Sequence, residues 1–149
     1  MTRRMYAEDT KVPVEKSRVE IERLLSHYGA GSFMYSQQPK GYVLAFELRD
    51  RIMRFVLHRN VAPSETRGRK TAEERAAQEN RRRWRALVLI LKAKLEAVHS
   101  GIVTMEEEFL PYMQMKDGRT VAEWAVTEIQ PALEAGTMPR GLLGPGGSS

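Results

Sequence analysis

The chain has 149 residues, 42% of them hydrophobic and 29% charged, enough for one soluble domain with a sizeable core. It has no cysteine, which excludes disulfides and thiolate metal sites, and no apolar run reaches the ~18–20 residues that span a bilayer. The formal net charge is +5, and Arg67 to Arg85 carry all of it: eight basic against three acidic residues there leave the remainder neutral.

The opening "MTRRMYAEDTKV" has two arginines but lacks the apolar stretch of a signal peptide, so a cytoplasmic location is expected. Residues 1–11 have no hydrophobic period and read as a flexible N-terminus. "VPVEKSRVEIERLLSHYG" predicts a first helix. Pro13 suits its first turn, and Glu15 lies near the positive end of the dipole. Val14, Ile21, Leu24, Leu25 and Tyr28 share a face, and Gly29 ends it. Three strands follow: "SFMYS", ended by "QQPKG", then "YVLAFEL", then "IMRFVLH" after a tight reversal at "RDR". Tyr42, Leu44, Phe46 and Leu48 alternate on the second, and Met53, Phe55 and Leu57 on the third. A short antiparallel meander covered on one face by helices satisfies that pattern.

"RNVAPSETRGRK" is a polar loop, after which Thr71 and Glu74 form a capping box. Helical spacing then persists to His99 or Ser100 before Gly101, about thirty residues or ~45 Å. Ala77, Trp84, Leu87, Val88, Leu91, Leu95 and Val98 make its seam, but only the later half of that seam is bulky. The early half is therefore expected to project from the body, or lie along its rim, with its arginines in solvent.

Thr104 with Glu107, and Thr120 with Glu123, repeat the capping-box pattern and open two more helices. The first ends near Pro111. "YMQMKDGRT" reads as a short extended segment with an Asp117-Gly118 turn. The second helix is bent or restarted by Pro131 and capped by Gly136. The expected fold is α+β: an N-terminal helix, a three-stranded antiparallel meander, a long basic helix, then C-terminal helices. One domain over residues 12–135 is followed by a flexible Gly/Pro/Ser tail, 136–149.

Enzymatic chemistry finds little support. His27, His58 and His99 lack metal-ligand spacing, and "MEEEF" is the acidic first turn that a helix dipole favours. No nucleophile motif, phosphate-cradling glycine loop or dinucleotide fingerprint occurs, so neither a cofactor nor a metal is expected. Met105, Met113 and Met115 read as gap-fillers under the last helix, and Tyr35, Tyr42 and Phe46 as core rather than as a binding platform.

The basic cluster is the candidate interface: Arg67, Arg69, Lys70, Arg75, Arg81, Arg82, Arg83 and Arg85. A localised excess of this kind attracts phosphate or acidic protein. In "RRRWR", Trp84 is either a base-stacking residue between phosphate-binding arginines or the first core residue of the seam. Helical spacing favours the core and puts Arg81 and Arg85 on one face, Arg82 and Arg83 on the other side. The plainer reading of the cluster is a solvated face with compensating pairs such as Glu79 with Arg83.

"VPVEKSRVEIERLLSHYGAGSFMY", "RRRWRALVLILKAKLEAV" and "DGRTVAEW" together resemble a family of small proteins encoded by bacteriophages and prophages, over Val12 to Leu133. That resemblance implies a phage-derived accessory protein in the bacterial cytoplasm and carries no catalytic residues with it. The order helix, meander, basic loop, long helix is similar to that of double-stranded RNA-binding domains. "GRKTAEERAA" echoes the basic start of their second helix, although Glu73 stands where a further cation would belong. The functional expectation is a non-enzymatic nucleic-acid-binding protein, with DNA or RNA as partner. The alternative is a protein-binding module acting on a host or phage factor, such as one of defence or replication, or a homodimer through the long helix.

Overall fold

A computed structural model describes residues 12–39, 41–58 and 71–138. It has the expected α+β architecture: an N-terminal helix, a three-stranded antiparallel sheet in the order β1-β2-β3, a long helix and C-terminal helices. The segment 1–11 and, from residue 139 on, the tail 136–149, both expected to be flexible, lie outside the described residues, as does the loop 59–70.

Helix α1 spans Val14–His27, with Pro13 at its N-cap. Ser17, Ile21 and Leu25 are buried, at the three- and four-residue spacing that makes one stripe. The chain turns out of the helix at Gly29, whose φ of +92° suits a residue without Cβ. β1 (Gly31–Gln38), β2 (Gly41–Leu48) and β3 (Arg51–His58) pair in sequence, with Leu44 opposite Tyr35 and Phe55, and Phe46 opposite Met53. Leu44, Phe46, Leu48, Met53 and Phe55 are buried on one face, as the alternation requires. β1 begins irregularly: Ser32 has φ +54°, and the register shifts between Gly31 and Met34. Leu48 pairs with Arg51, so the β2–β3 turn consists of Arg49 and Asp50 alone, at φ +49° and +62°. Two positive φ angles match the sheet's twist, but neither residue is the glycine that takes them without strain.

Helix α2 spans Ala72–His99 and closes the inner face with Trp84, Leu87, Val88, Leu91 and Leu95. α1 and α2 lie side by side and run the same way. Pro13 and Val14 meet Ala77 and Arg81, Glu20 meets Arg85, and Tyr28 meets His99. Because β1 runs back under α1 and brings Tyr35 to Arg18, the end of β3 at His58 and the starts of both helices share one end of the domain.

Helix α3 (Met105–Phe109) leads into a 3-10 turn, Leu110–Tyr112. The Tyr112 ring stacks on Phe55 with centroids 4.1 Å apart, and the Lys94 ammonium sits 4.8 Å from the Tyr112 centroid while bonding Glu108 at 3.0 Å. Met113 bridges Met53, and the Gln114 amide donates to the Ile52 carbonyl at 2.8 Å, so this segment covers the start of the β3 edge. Helix α4 spans Val121–Ala135 and runs through Pro131 instead of restarting there, although the proline ring removes one backbone donor from the helix. All three capping boxes form, on Thr71, Thr104 and Thr120.

Trp84→Ala is expected to destabilise the protein by about 3–5 kcal/mol, as large core truncations do, read as a lowered urea midpoint. Asp50→Gly is expected to raise the midpoint, by roughly 0.5–1 kcal/mol, because glycine takes positive φ without a Cβ clash.

Candidate nucleic-acid interface

The basic helix begins with a cap that ties up its own donors. The Thr71 hydroxyl accepts from the Glu74 amide and the Glu74 carboxylate accepts from the Thr71 amide, both at 3.2 Å. From Thr71 to Ala77 the helix is exposed, with Arg75 half-buried; from Gln78 to Arg83 every residue is half-buried. The part that stands clear of the body is therefore about two turns, shorter than the seam suggests. The physical reason is α1, whose first turn reaches Ala77, Asn80 and Arg81 and leaves a 460 Å³ cleft lined by these residues with Pro13, Val14 and Glu15. Long arginine stems cover that join while their heads stay wet.

The five candidate arginines within the described residues go to different places. Arg85 reaches across to α1 and forms a bidentate pair with Glu20. Arg82 and Arg83 both engage Glu79, through Nε at 2.9 Å in each case; the Glu79–Arg83 pair is the one the spacing anticipates. Arg81 donates to the amide oxygen of Gln78 at 2.6 Å, a neutral partner. Arg75 makes no side-chain ion pair among the described residues. Arg67, Arg69 and Lys70 lie outside the described residues.

Trp84 belongs to the core. Its ring is fully buried against Tyr35 at 5.7 Å and Tyr42 at 6.0 Å, and so cannot stack on a base. The residue that periodicity missed is Arg18. Its guanidinium lies 4.8 Å from the Tyr35 centroid and 4.7 Å from that of Trp84, a cation–π sandwich. A signal existed: Arg18 stands four residues after Val14 and three before Ile21, inside the apolar stripe of α1. Burial raises the pKa of the Tyr35 phenol, and the neighbouring Glu22 adds to the rise.

Elsewhere the residues with catalytic potential have structural duties. Glu107 completes a cap and Glu108 holds Lys94. His27 and His99 flank Tyr28 edge-on at helix ends. Among the described residues no group of three His, Asp or Glu is placed to hold a metal ion.

Two carboxylates in this region titrate low. The bond from Arg85 lowers the pKa of Glu20, and the bond from Arg82, helped by Arg83, lowers that of Glu79, in each case against the opposing effect of burial. A carboxylate with a depressed folded pKa stabilises the fold above its unfolded value and loses that contribution as the pH drops through the folded one. Stability is thus expected to decline on acidification below the ordinary carboxylate value of 4.5. Urea midpoints at neutral and at acid pH should show a smaller loss for Glu20→Gln and Glu79→Gln than for the parent protein.

No protein-family profile, no curated protein and no solved structure matches this chain.

Proposed function

We propose that the protein binds nucleic acid without catalysing a reaction, at the end of the domain where α1 and α2 both begin. Phosphates would meet Arg75 and Arg81 first, with Arg82 and Arg83 on the same stretch of helix. Arg67, Arg69 and Lys70, which directly precede Thr71 in the sequence, belong to the same basic run. The observation that carries this reading is a shortage of carboxylates. Among the described residues Arg75 and Arg81 meet none, Arg81 donating instead to the neutral Gln78. An unmatched cationic surface is what binds a polyanion through release of its counterions. Arg85 is a different case: its bond to Glu20 joins two helices, and its role in this reading is to hold the surface. The setting implied by the sequence resemblance is that of a phage-encoded accessory protein in the bacterial cytoplasm.

The alternative, a protein-binding module, is favoured by one observation of its own, the apolar side chains that α4 leaves in solvent.

Labelled single-stranded DNA, duplex DNA and duplex RNA are the probes for the first reading. Binding is expected to weaken with salt, the log–log slope being about −0.9 per phosphate on a B-form duplex. Arg75→Ala with Arg81→Ala should reduce that slope by about 2 and leave the urea midpoint near that of the parent. Arg85→Ala should lower the midpoint, since it strands Glu20. Absence of any probe shift at low salt, or a response indifferent to salt, rules the reading out.

A further inference from the structure

The basic run from Arg67 to Arg85 contains one aromatic residue, Trp84, and that ring is fully buried. Proteins that hold single strands stack the bases on aromatic rings, and this run has none to offer them. What it offers instead are cations that differ in direction. Arg75, Gln78 and Arg81 follow one another at three-residue steps along α2. Each step turns the side chain by about 60° around the helix and advances it by about 4.5 Å. Arg75 and Arg81, which meet no carboxylate among the described residues, therefore leave the helix about 120° apart in direction and about 9 Å apart along its axis. Arg81 lines the cleft against the first turn of α1. Gln78 lies between the two, its amide oxygen accepting from Arg81 at 2.6 Å. Of the nearby glutamates, Glu74 shares this side and has an oxygen on the Thr71 amide, whereas Glu73 and Glu79 stand about 140° and 100° round from Gln78.

A duplex answers that divergence better than one backbone does. Two backbones flank each groove, so a helix lodged there meets phosphates on both sides at once. The B-form major groove is about 12 Å wide and about 8.5 Å deep, which admits a helix about 10–12 Å across. The two turns of α2 that stand clear of the body are ~10 Å long, enough to reach into it. A-form RNA has a major groove too deep and narrow for side chains to read.

We propose that the ligand is double-stranded DNA, with the free turns of α2 in its major groove. Arg75 meets the phosphates of one strand, Arg81 those of the other, and Gln78 faces the base edges between them. This rests on the nucleic-acid reading and gives it a substrate class.

The probes are a labelled duplex DNA of about two helical turns, each of its single strands, and the RNA duplex of the same sequence. Fluorescence anisotropy on the full chain at low salt should show the DNA duplex bound at least about tenfold tighter than the other probes. Methyl green, which occupies the major groove, should displace the protein, and netropsin, which fills the minor groove, should leave it bound. R75A and R81A should each lower the salt slope on duplex DNA by about 0.9, one phosphate apiece. Q78E, which sets a carboxylate between the two arginines, should weaken duplex binding about tenfold, with circular dichroism verifying that every variant keeps its fold. The proposal fails if a single strand or the RNA duplex binds as tightly as duplex DNA, or if netropsin displaces the protein and methyl green does not. It fails equally if either arginine variant keeps the parent slope. Tight binding to single strands alone overturns this inference and leaves the nucleic-acid reading standing, whereas silence from every probe overturns both.

Discussion

The burial of Trp84 fixes the rest of the domain. One indole touches Tyr35 on β1 and Tyr42 on β2 while the Arg18 guanidinium of α1 lies on its face, so three elements are aligned against the fourth at a single side chain. The arrangement is not cost-free. The indole N–H of Trp84, the hydroxyl of Ser17 and Nε of Arg18 are buried with no hydrogen-bond partner among the described residues, each at a penalty of about 1–3 kcal/mol in comparable settings. Burial of the indole offsets a cost of this size, since an aromatic ring buries 150–250 Å² at roughly 25 cal/mol per Å².

Trp84 also marks where α2 changes character. After it, Leu87, Val88, Leu91 and Leu95 hold the helix to the sheet. Before it, the helix is held by polar means: the capping box at Thr71, the i,i+3 and i,i+4 pairs on Glu79, and the first turn of α1 alongside. Such half-exposed pairs contribute only a few tenths of a kcal/mol each and weaken with salt. The charge is therefore distributed with a polarity, cationic where α1 and α2 start and anionic along α4.

Much of this was legible in the sequence, because local rules and tertiary packing agree. Alternation at Leu44, Phe46, Leu48, Met53 and Phe55 gave the inner sheet face, and the T-x-x-E spacing marked three helix starts. Trp84 was legible as core because the bulky seam begins with it. What stayed hidden depends on where elements lie in space. The reach of α1 along α2 shortens the free part of the basic helix, and spacing within α2 alone carries no record of it. Arg18 defeats a reading in which charge means surface; only its place within an apolar stripe hints at the two rings it fills. Helix α4 shows the opposite case. Val121, Trp124 and Ile129 look like an inward face, but every one of them is only half-buried.

The pairing of α1 with α2 has a consequence for the order of events during synthesis. Glu20 and Arg85 stand 65 positions apart, and between them lies the whole meander. The first helix and all three strands therefore emerge from the ribosome before the element that covers them exists. Leu25, Leu44 and Phe46 have their cover completed only once Leu91 and Leu95 have been made. Docking of the first helix is a late, non-local step, the kind that slows folding and leaves a nascent apolar sheet in need of shelter.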